Sequence, residues 1–287
     1  MTQVYACRTF RGLIGILYSI LASVRKVKID LKGIILKDDA RYDHTEHYLS
    51  SRGHIFYDPN TPPETLDFVI FSFKKDIDKS IYDNAFFAAL KGNTPVFSGL
   101  KNTYAANKCE EYGLNYYVIM DDRGIAVKNA VPTSEGVIAY LIGNRDYTLA
   151  DSRVLVIGYG ICGSDLAKRL KALGANVCAL VRNREKECAA QADSVTPVYL
   201  EDLNGMNFDI YINTVPGPVL TDEIIGRAGG ALFADIASKP GFNMELAKKY
   251  NDKSALLPGI PGKYAVRAAG EIIGEYIQYV LSGRGIK

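Results

Sequence analysis

The sequence predicts an α/β protein with two open parallel sheets in series and a C-terminal helix that crosses back towards the first. Three observations carry this. From residue 31 onward, short apolar runs of strand type alternate with stretches of helical periodicity, the pattern of parallel sheets with right-handed crossovers. Residues 153–180 read strand, glycine-rich turn, helix, strand. Residues 265–281 carry apolar side chains at helical spacing: Val266, Ala269, Ile272, Ile273, Tyr276, Ile277 and Val280.

The glycine-rich turn explains itself position by position. After the apolar run 154–157 come Gly158, Gly160 and Gly163, with Ile161 and Cys162 between them at the start of the helix. Gly158 suits a tight turn, Gly160 a close approach of backbone to a pyrophosphate, and Gly163 close helix–strand packing. The helix N-terminus offers free N–H groups and a partial positive charge to the phosphates. Gly174 closes that helix and 177–181 is the next strand. The second sheet is therefore expected to be a Rossmann dinucleotide-binding domain.

An NAD site places an acid at the end of the second strand to hold the ribose 2′-hydroxyl. Here that end reads Val181-Arg182-Asn183-Arg184, and Glu185 and Glu187 come later, on the next helix. Two guanidinium groups suit a 2′-phosphate. The expected cofactor is NADP(H), with Arg182 and Arg184 as its anchors and Asn183 as a helper.

Composition narrows the class. The 287 residues are enough for two domains, and a hydrophobic content of 48% with 23% charged residues is that of a globular chain. A net charge of +2 gives no reason to expect a nucleic-acid partner. The five cysteines have no metal-ligand spacing and are odd in number, which fits reduced thiols in a cytoplasm. His44 and His47 share a helix face without a third ligand, so no metal is expected.

Taken in order, residues 1–30 form an N-terminal extension. Its apolar run, 13–24, is flanked by Arg8 and Arg11 before and by Arg25, Lys26 and Lys28 after. The run is too short to span a bilayer, and the positive charges that follow it disfavour export, so neither a membrane span nor a signal peptide is expected. Residues 31–128 read as an α/β substrate domain, with strands at 33–36, 54–57, 68–71, 94–97 and 116–120 and helices at 40–51, 82–90 and 102–112. Pro132 marks a join, with Thr133 as cap of a helix over 134–143 and Glu135 in its first turn. Residues 129–264 form the NADP-binding domain, with further strands at 209–214, 231–236 and 255–257 whose ends share one edge of the sheet. Residues 265–287 are the crossing helix.

A likeness to a known family then enters, running from about Gly33 to the C-terminus. The stretches that carry it are Asp39-Ala40-Arg41, Phe97-Ser98-Gly99 with Asn102, Asn129-x-Val131-Pro132-Thr133-x-Glu135-Gly136, the glycine turn, and Ile212-Asn213-Thr214-x-Pro216. Most specific are Asp235-x-Ala237-Ser238-Lys239-Pro240-Gly241 and Pro258-Gly259-x-Pro261-Gly262. On these the chain resembles the family of dipicolinate synthase A subunits. The resemblance implies oxidation of dihydrodipicolinate to dipicolinate with NADP, a smaller flavoprotein-like B subunit as partner, and the mother-cell cytoplasm of a sporulating bacterium. It leaves room for a homo-oligomer. Two other readings stay open: a non-catalytic subunit that holds NADP(H) for a flavoprotein partner, and a reductase of another small imino, keto or amino acid.

The implied substrate is a small ring diacid, so the site needs cations for two carboxylates and a group to take a proton. Arg41, after the first strand, is the expected carboxylate clamp, with Ser98 as a donor to the same group. Lys239, Lys263 and Arg267 are the cations expected from the second half. Thr214, Val215 and Pro216 are expected to line the nicotinamide ribose, with Ala237 and Pro258 on neighbouring strand ends. Asp235 and Ser238 are expected to bond the carboxamide or to orient Lys239, and Glu135 to act as base.

Overall fold

The computed structural model describes residues 30–73 and 76–283; what the sequence suggests for residues 1–29 lies outside them. The first sheet is built from β1 (Lys32–Ile35), β2 (Ile55–Tyr57), β3 (Phe68–Ile70), β4 (Pro95–Ser98) and β5 (Asn115–Val118), all parallel in the order β2-β1-β3-β4-β5. Between them run α1 (Arg41–Ser50), α2 (Asn84–Ala89) and α3 (Thr103–Glu111). The second sheet comprises β6 (Arg153–Ile157), β7 (Asn176–Leu180), β8 (Thr196–Val198), β9 (Ile210–Asn213), β10 (Leu232–Asp235) and β11 (Ala255–Leu256), again all parallel, in the order β11-β10-β9-β6-β7-β8. Read from β8, this is the 3-2-1-4-5-6 order of a dinucleotide-binding sheet. Its helices are α5 (Ile161–Ala172), α6 (Arg184–Ala192), α7 (Asp222–Arg227) and α8 (Met244–Tyr250). Three more, α4 (Arg123–Gly143), α9 (Ile260–Tyr264) and α10 (Val266–Leu281), join the two lobes.

Each strand sends alternate side chains to opposite faces. In the first sheet Ile34, Val69 and Val96 pack on one side and Ile35, Phe68, Ile70 and Phe97 on the other. In the second, Val154, Val156, Ile210 and Ile212 face one core, and Leu155, Ile157, Tyr211 and Phe233 face the other. Helix starts follow their caps: the side chains of Asp83, Asn102, Asp122, Asn183, Thr221 and Asn243 each accept a first-turn backbone N–H.

The C-terminal helix does cross back. In α10, Ile273, Ile277 and Val280 enter the core of the first sheet beside Tyr42 and Leu49, each such burial contributing roughly 1.5–3 kcal/mol. Gly270 and Gly274 let it lie against α1, because a Cβ at either would press into the Arg41 carbonyl or the Tyr48 ring. Thr45 Oγ1 donates to the Gly270 carbonyl at 2.9 Å.

Two sequence expectations are corrected. No helix break occurs at Pro132: α4 runs unbroken from Arg123 to Gly143, capped by Asp122, whose carboxylate accepts from Ile125 N at 2.9 Å. Thr133 is not a cap but lies inside the helix, and its hydroxyl donates to the Asn129 carbonyl at 2.6 Å, one turn back. Pro132 has no N–H to give the Lys128 carbonyl one turn back, yet the helix continues through it, and Glu135 stands in mid-helix rather than in a first turn. After Pro258, Gly259 at φ 65° starts the short helix α9.

Candidate functional site

The glycine turn sits at the switch point of the second sheet, where β6 lies between β7 and β9. Gly158 adopts φ 93°, and a side chain there would collide with Val215. Gly163 has no room either: its Cβ would strike the Gly158 carbonyl. Gly160 differs, because a Cβ there meets nothing within 4 Å. Its backbone is bare towards the crevice, as a pyrophosphate requires. Gly160 is also the N-cap of α5 and supplies no side-chain cap, so the first N–H groups of that helix, from Ile161 and Cys162, are left for an anion. The turn is braced from below. Thr214 Oγ1 donates to the Ile157 carbonyl at 2.9 Å, and the buried Tyr159 donates to Asp193 at 2.9 Å. Burial and that carboxylate push the Tyr159 phenol above its ordinary range. The residues present therefore fit a dinucleotide.

At the end of β7, Arg182 and Arg184 are exposed and make no ion pair among the described residues. Asn183 does something the sequence reading did not foresee: its Oδ1 caps α6, accepting from Lys186 N at 3.0 Å. It shapes the turn between the two arginines.

Asp235, expected to bond the carboxamide or to orient Lys239, is a buried brace 1% exposed. One oxygen accepts from Asn213 Nδ2 at 3.0 Å and Ala237 N at 2.9 Å, and the other from Gly241 N at 2.7 Å. Asn213, fully buried, also donates to the Val215 carbonyl at 2.9 Å and accepts from Val215 N at 3.2 Å. Gly241 has no Cβ because the Asn213 amide fills that space. Further backbone bonds, Gly217 N to the Lys239 carbonyl and Val219 N to that of Gly241, tie the loops after β9 and β10 into one lip. Ser238, Lys239 and Pro216 are exposed on that lip, Val215 is half-buried, and Pro258 is exposed after β11.

The first lobe contributes Arg41, 6% exposed at the start of α1. Its Nε and Nη2 both donate to the Asp39 carboxylate at 2.8 Å. Its guanidinium carbon lies 3.9 Å from the centre of the Phe73 ring, and Gly262 of α9 comes so close that a Cβ there would be 3.3 Å from Nε. Phe73 N donates to Asp38, and Gly99 lacks a Cβ where the Phe73 ring packs. Arg41 thus stands where the lobes meet, and its Nη1 carries no bond among the described residues.

Ser98 does not join Arg41. Its hydroxyl is fully buried, donates to the Leu100 carbonyl at 2.8 Å and bonds Tyr116 at 2.6 Å, so no donor is left for a substrate carboxylate. Glu135 is exposed and pairs with Arg169 at 3.5 Å. Arg169 lies eight residues into α5, about 12 Å along the axis from the glycine turn, so Glu135 is set apart from the crevice. Lys263 is exposed on α9, and Arg267 is exposed and bonded to Glu271 at 2.9 Å.

Against this geometry, the family described as D-isomer specific 2-hydroxyacid dehydrogenase, NAD binding domain, matches residues 140–235. That stretch holds the glycine turn and the strands from β6 to β10. The A subunit of dipicolinate synthase from Bacillus subtilis (strain 168) is 31% identical over 191 residues, 65% of this chain and 64% of that protein. The alignment therefore spans a little under two thirds of the relative's length. The crystal structure of dipicolinate synthase, A chain, from Bacillus subtilis superposes with a TM-score of 0.79 at 24% identity, over 89% of this chain and 97% of that one.

The resemblance to the A subunit of dipicolinate synthase is borne out. A second crystal structure, of the dipicolinate synthase A subunit from Bacillus halodurans, gives a TM-score of 0.76 at 23% identity over 88% and 98% of the chains. These structures establish the two-sheet fold. The family match supports a nicotinamide dinucleotide as the cofactor. Among the described residues no helix is long and apolar enough to cross a membrane, and no group of three side chains is placed to hold a metal ion.

The sequence reading missed Asp39, Phe73 and Asn213 as shapers of the site. Asp39 stands two residues from Arg41 and was visible as a charge pair at a strand end; Asn213 was visible as a polar residue closing an apolar strand. Phe73 gave no signal, because its role exists only in the folded chain.

Proposed function

We propose that the chain is the A subunit of a dipicolinate synthase, oxidising dihydrodipicolinate to dipicolinate with NADP in the mother-cell cytoplasm of a sporulating bacterium, beside a flavoprotein-like B subunit. The observation that carries the reading is a buried arginine at the lobe interface together with a dinucleotide-type glycine turn, in a chain similar to the A subunit of dipicolinate synthase. The cofactor supplies hydride acceptance when bound. The protein supplies position, which can lower a barrier by several kcal/mol. Arg41 orients one carboxylate by its Nη1 edge, and Lys239 or Lys263 neutralises the other. The Asp235–Asn213 brace holds the lip that presents Lys239. Loss of hydride and a proton leaves an aromatic ring, so much of the driving force lies in the product.

A non-catalytic reading has one observation in its favour. Glu135, the acid expected to act as base, pairs with Arg169 and is set apart from the crevice, and the Asp235 carboxylate is buried and already accepts three bonds. Turnover by the purified chain alone would exclude it; turnover that appears only with a flavoprotein partner would support it. The NADP assignment is tested by Arg182→Asp with Arg184→Ala. We expect NADPH binding to weaken at least about tenfold more than NADH binding. Equal loss of both would refute the 2′-phosphate role.

A further inference from the structure

Arg41 is fixed from three directions that arise from three separate parts of the chain. Asp39, in the loop after β1, holds its Nε/Nη2 edge with two bonds of 2.8 Å. Phe73, after β3, lies under its face at 3.9 Å. Gly262, in α9 of the other lobe, closes on Nε from the second side. Phe73 is itself held by Asp38, which accepts its N–H, and by the space that Gly99 leaves open. A guanidinium has five N–H donors in a rigid plane. Asp39 consumes two of them, and the edge left over is the Nη1 edge, with a single orientation.

From this arrangement we infer that Asp39 is a positioning residue that determines substrate specificity. It converts Arg41 from a flexible cation into a fixed fork that accepts a carboxylate from one direction. Asp39 offsets the charge of Arg41 it pairs with, so the fork selects by geometry and leaves net attraction to the cations of the second lobe. The consequence is discrimination among diacids of equal charge. A ring whose two carboxylates flank the ring nitrogen reaches Nη1 and the opposite lip together, and an isomer with its carboxylates elsewhere on the ring reaches one or the other. The inference deepens the function proposed above and rests on it.

The test is calorimetric titration of the full chain, saturated with NADP⁺, with pyridine-2,6-dicarboxylate and with its 2,4- and 2,5-isomers. The three ligands carry the same charge, so their affinity ratio reports geometry. The wild type is expected to prefer the 2,6-isomer. Asp39→Asn places an amide N–H against a guanidinium N–H and is expected to lower that preference about tenfold, the scale of one bond to a charged group. Gly262→Ala pushes on Arg41 from the other lobe and is expected to lower it in the same direction, which decides the matter if the first variant misfolds. NADPH binding serves as the folding control and is expected to be unchanged in both. Variants that fold, bind NADPH and keep the wild-type ratio would overturn the inference, since a residue that only stabilises the fold moves all three affinities together. A wild type that binds NADPH but none of the diacids would instead remove the substrate reading beneath it.

Discussion

The two sheets share a plan and differ in where they keep their chemistry. Each is parallel and open, and each places its key feature at the switch point: Arg41 beyond β1, which lies between β2 and β3, and the glycine turn beyond β6, which lies between β7 and β9. In the second lobe the feature is backbone. Three glycines at fixed spacing make a turn whose shape is local, so it could be read from eleven residues. In the first lobe the feature is a side chain made specific by Asp39, Phe73 and Gly262, which are brought together only by folding. A site written in backbone is legible in sequence; a site written in tertiary contacts is not.

The sharpest way to break this contrast is within the turn itself. Gly163→Val forces a side chain into the Gly158 carbonyl, and we expect dinucleotide binding to be abolished and thermal stability to fall. Gly160→Ala meets only open space, so we expect stability within about 0.5 kcal/mol of the wild type but a clear loss of NADPH affinity. If the two variants behaved alike in both measurements, the separation of packing from cofactor roles would fail.

Asp235→Ala comes next. It strands the Ala237 and Gly241 N–H groups and the Asn213 amide in a buried lip, and about 3 kcal/mol of stability should be lost in urea unfolding. Lys239→Ala on the same lip should leave stability within about 0.5 kcal/mol while weakening diacid binding. An unchanged urea midpoint for Asp235→Ala would mean that the residue is not the brace described.

In the first lobe, Arg41→Lys keeps the charge and removes the fork. Diacid affinity should drop roughly tenfold to a hundredfold with NADPH affinity unchanged, as titrations of each ligand would show. A drop in both would place Arg41 in the cofactor site instead.

The smallest effect is the response to alkali. Burial pushes the Cys109 thiol up to about 12, and burial followed by the Asp122 carboxylate pushes Tyr276 up to about 12. Burial raises Tyr42 and Tyr82 as well. Groups that hold their protons more tightly when folded contribute stability that is complete below their unfolded values and is lost as pH rises through the folded ones. Stability should therefore be flat to about pH 9 and decline from there towards pH 12. These four groups belong to the first lobe and the helix crossing to it, so Tyr42→Phe should flatten the decline. A decline that begins near neutrality would point to other groups.

Much of the fold could be read in advance because strand and helix periods are short-range. The strands at 33–36, 68–71 and 154–157 and the crossing helix all appeared within a residue or two of where their apolar spacing put them. The errors have a common origin. Pro132 suggests a break, but α4 passes through it, because Asp122 caps the helix ten residues before the proline and the turns on either side are already formed. Ser98 and Asp235 are polar residues at strand ends, where side chains often face ligands. Here both are turned inward, to Tyr116 and to the backbone of residues 237 and 241. Residue type gave the position of these groups but not the direction in which they point.

The nucleotide crevice is tested most directly by fluorescence titration of the purified chain with NADPH and with NADH. The prediction is a single site per chain that binds NADPH more tightly than NADH and is lost in Gly163→Val. Binding of neither nucleotide by folded wild-type protein would contradict it.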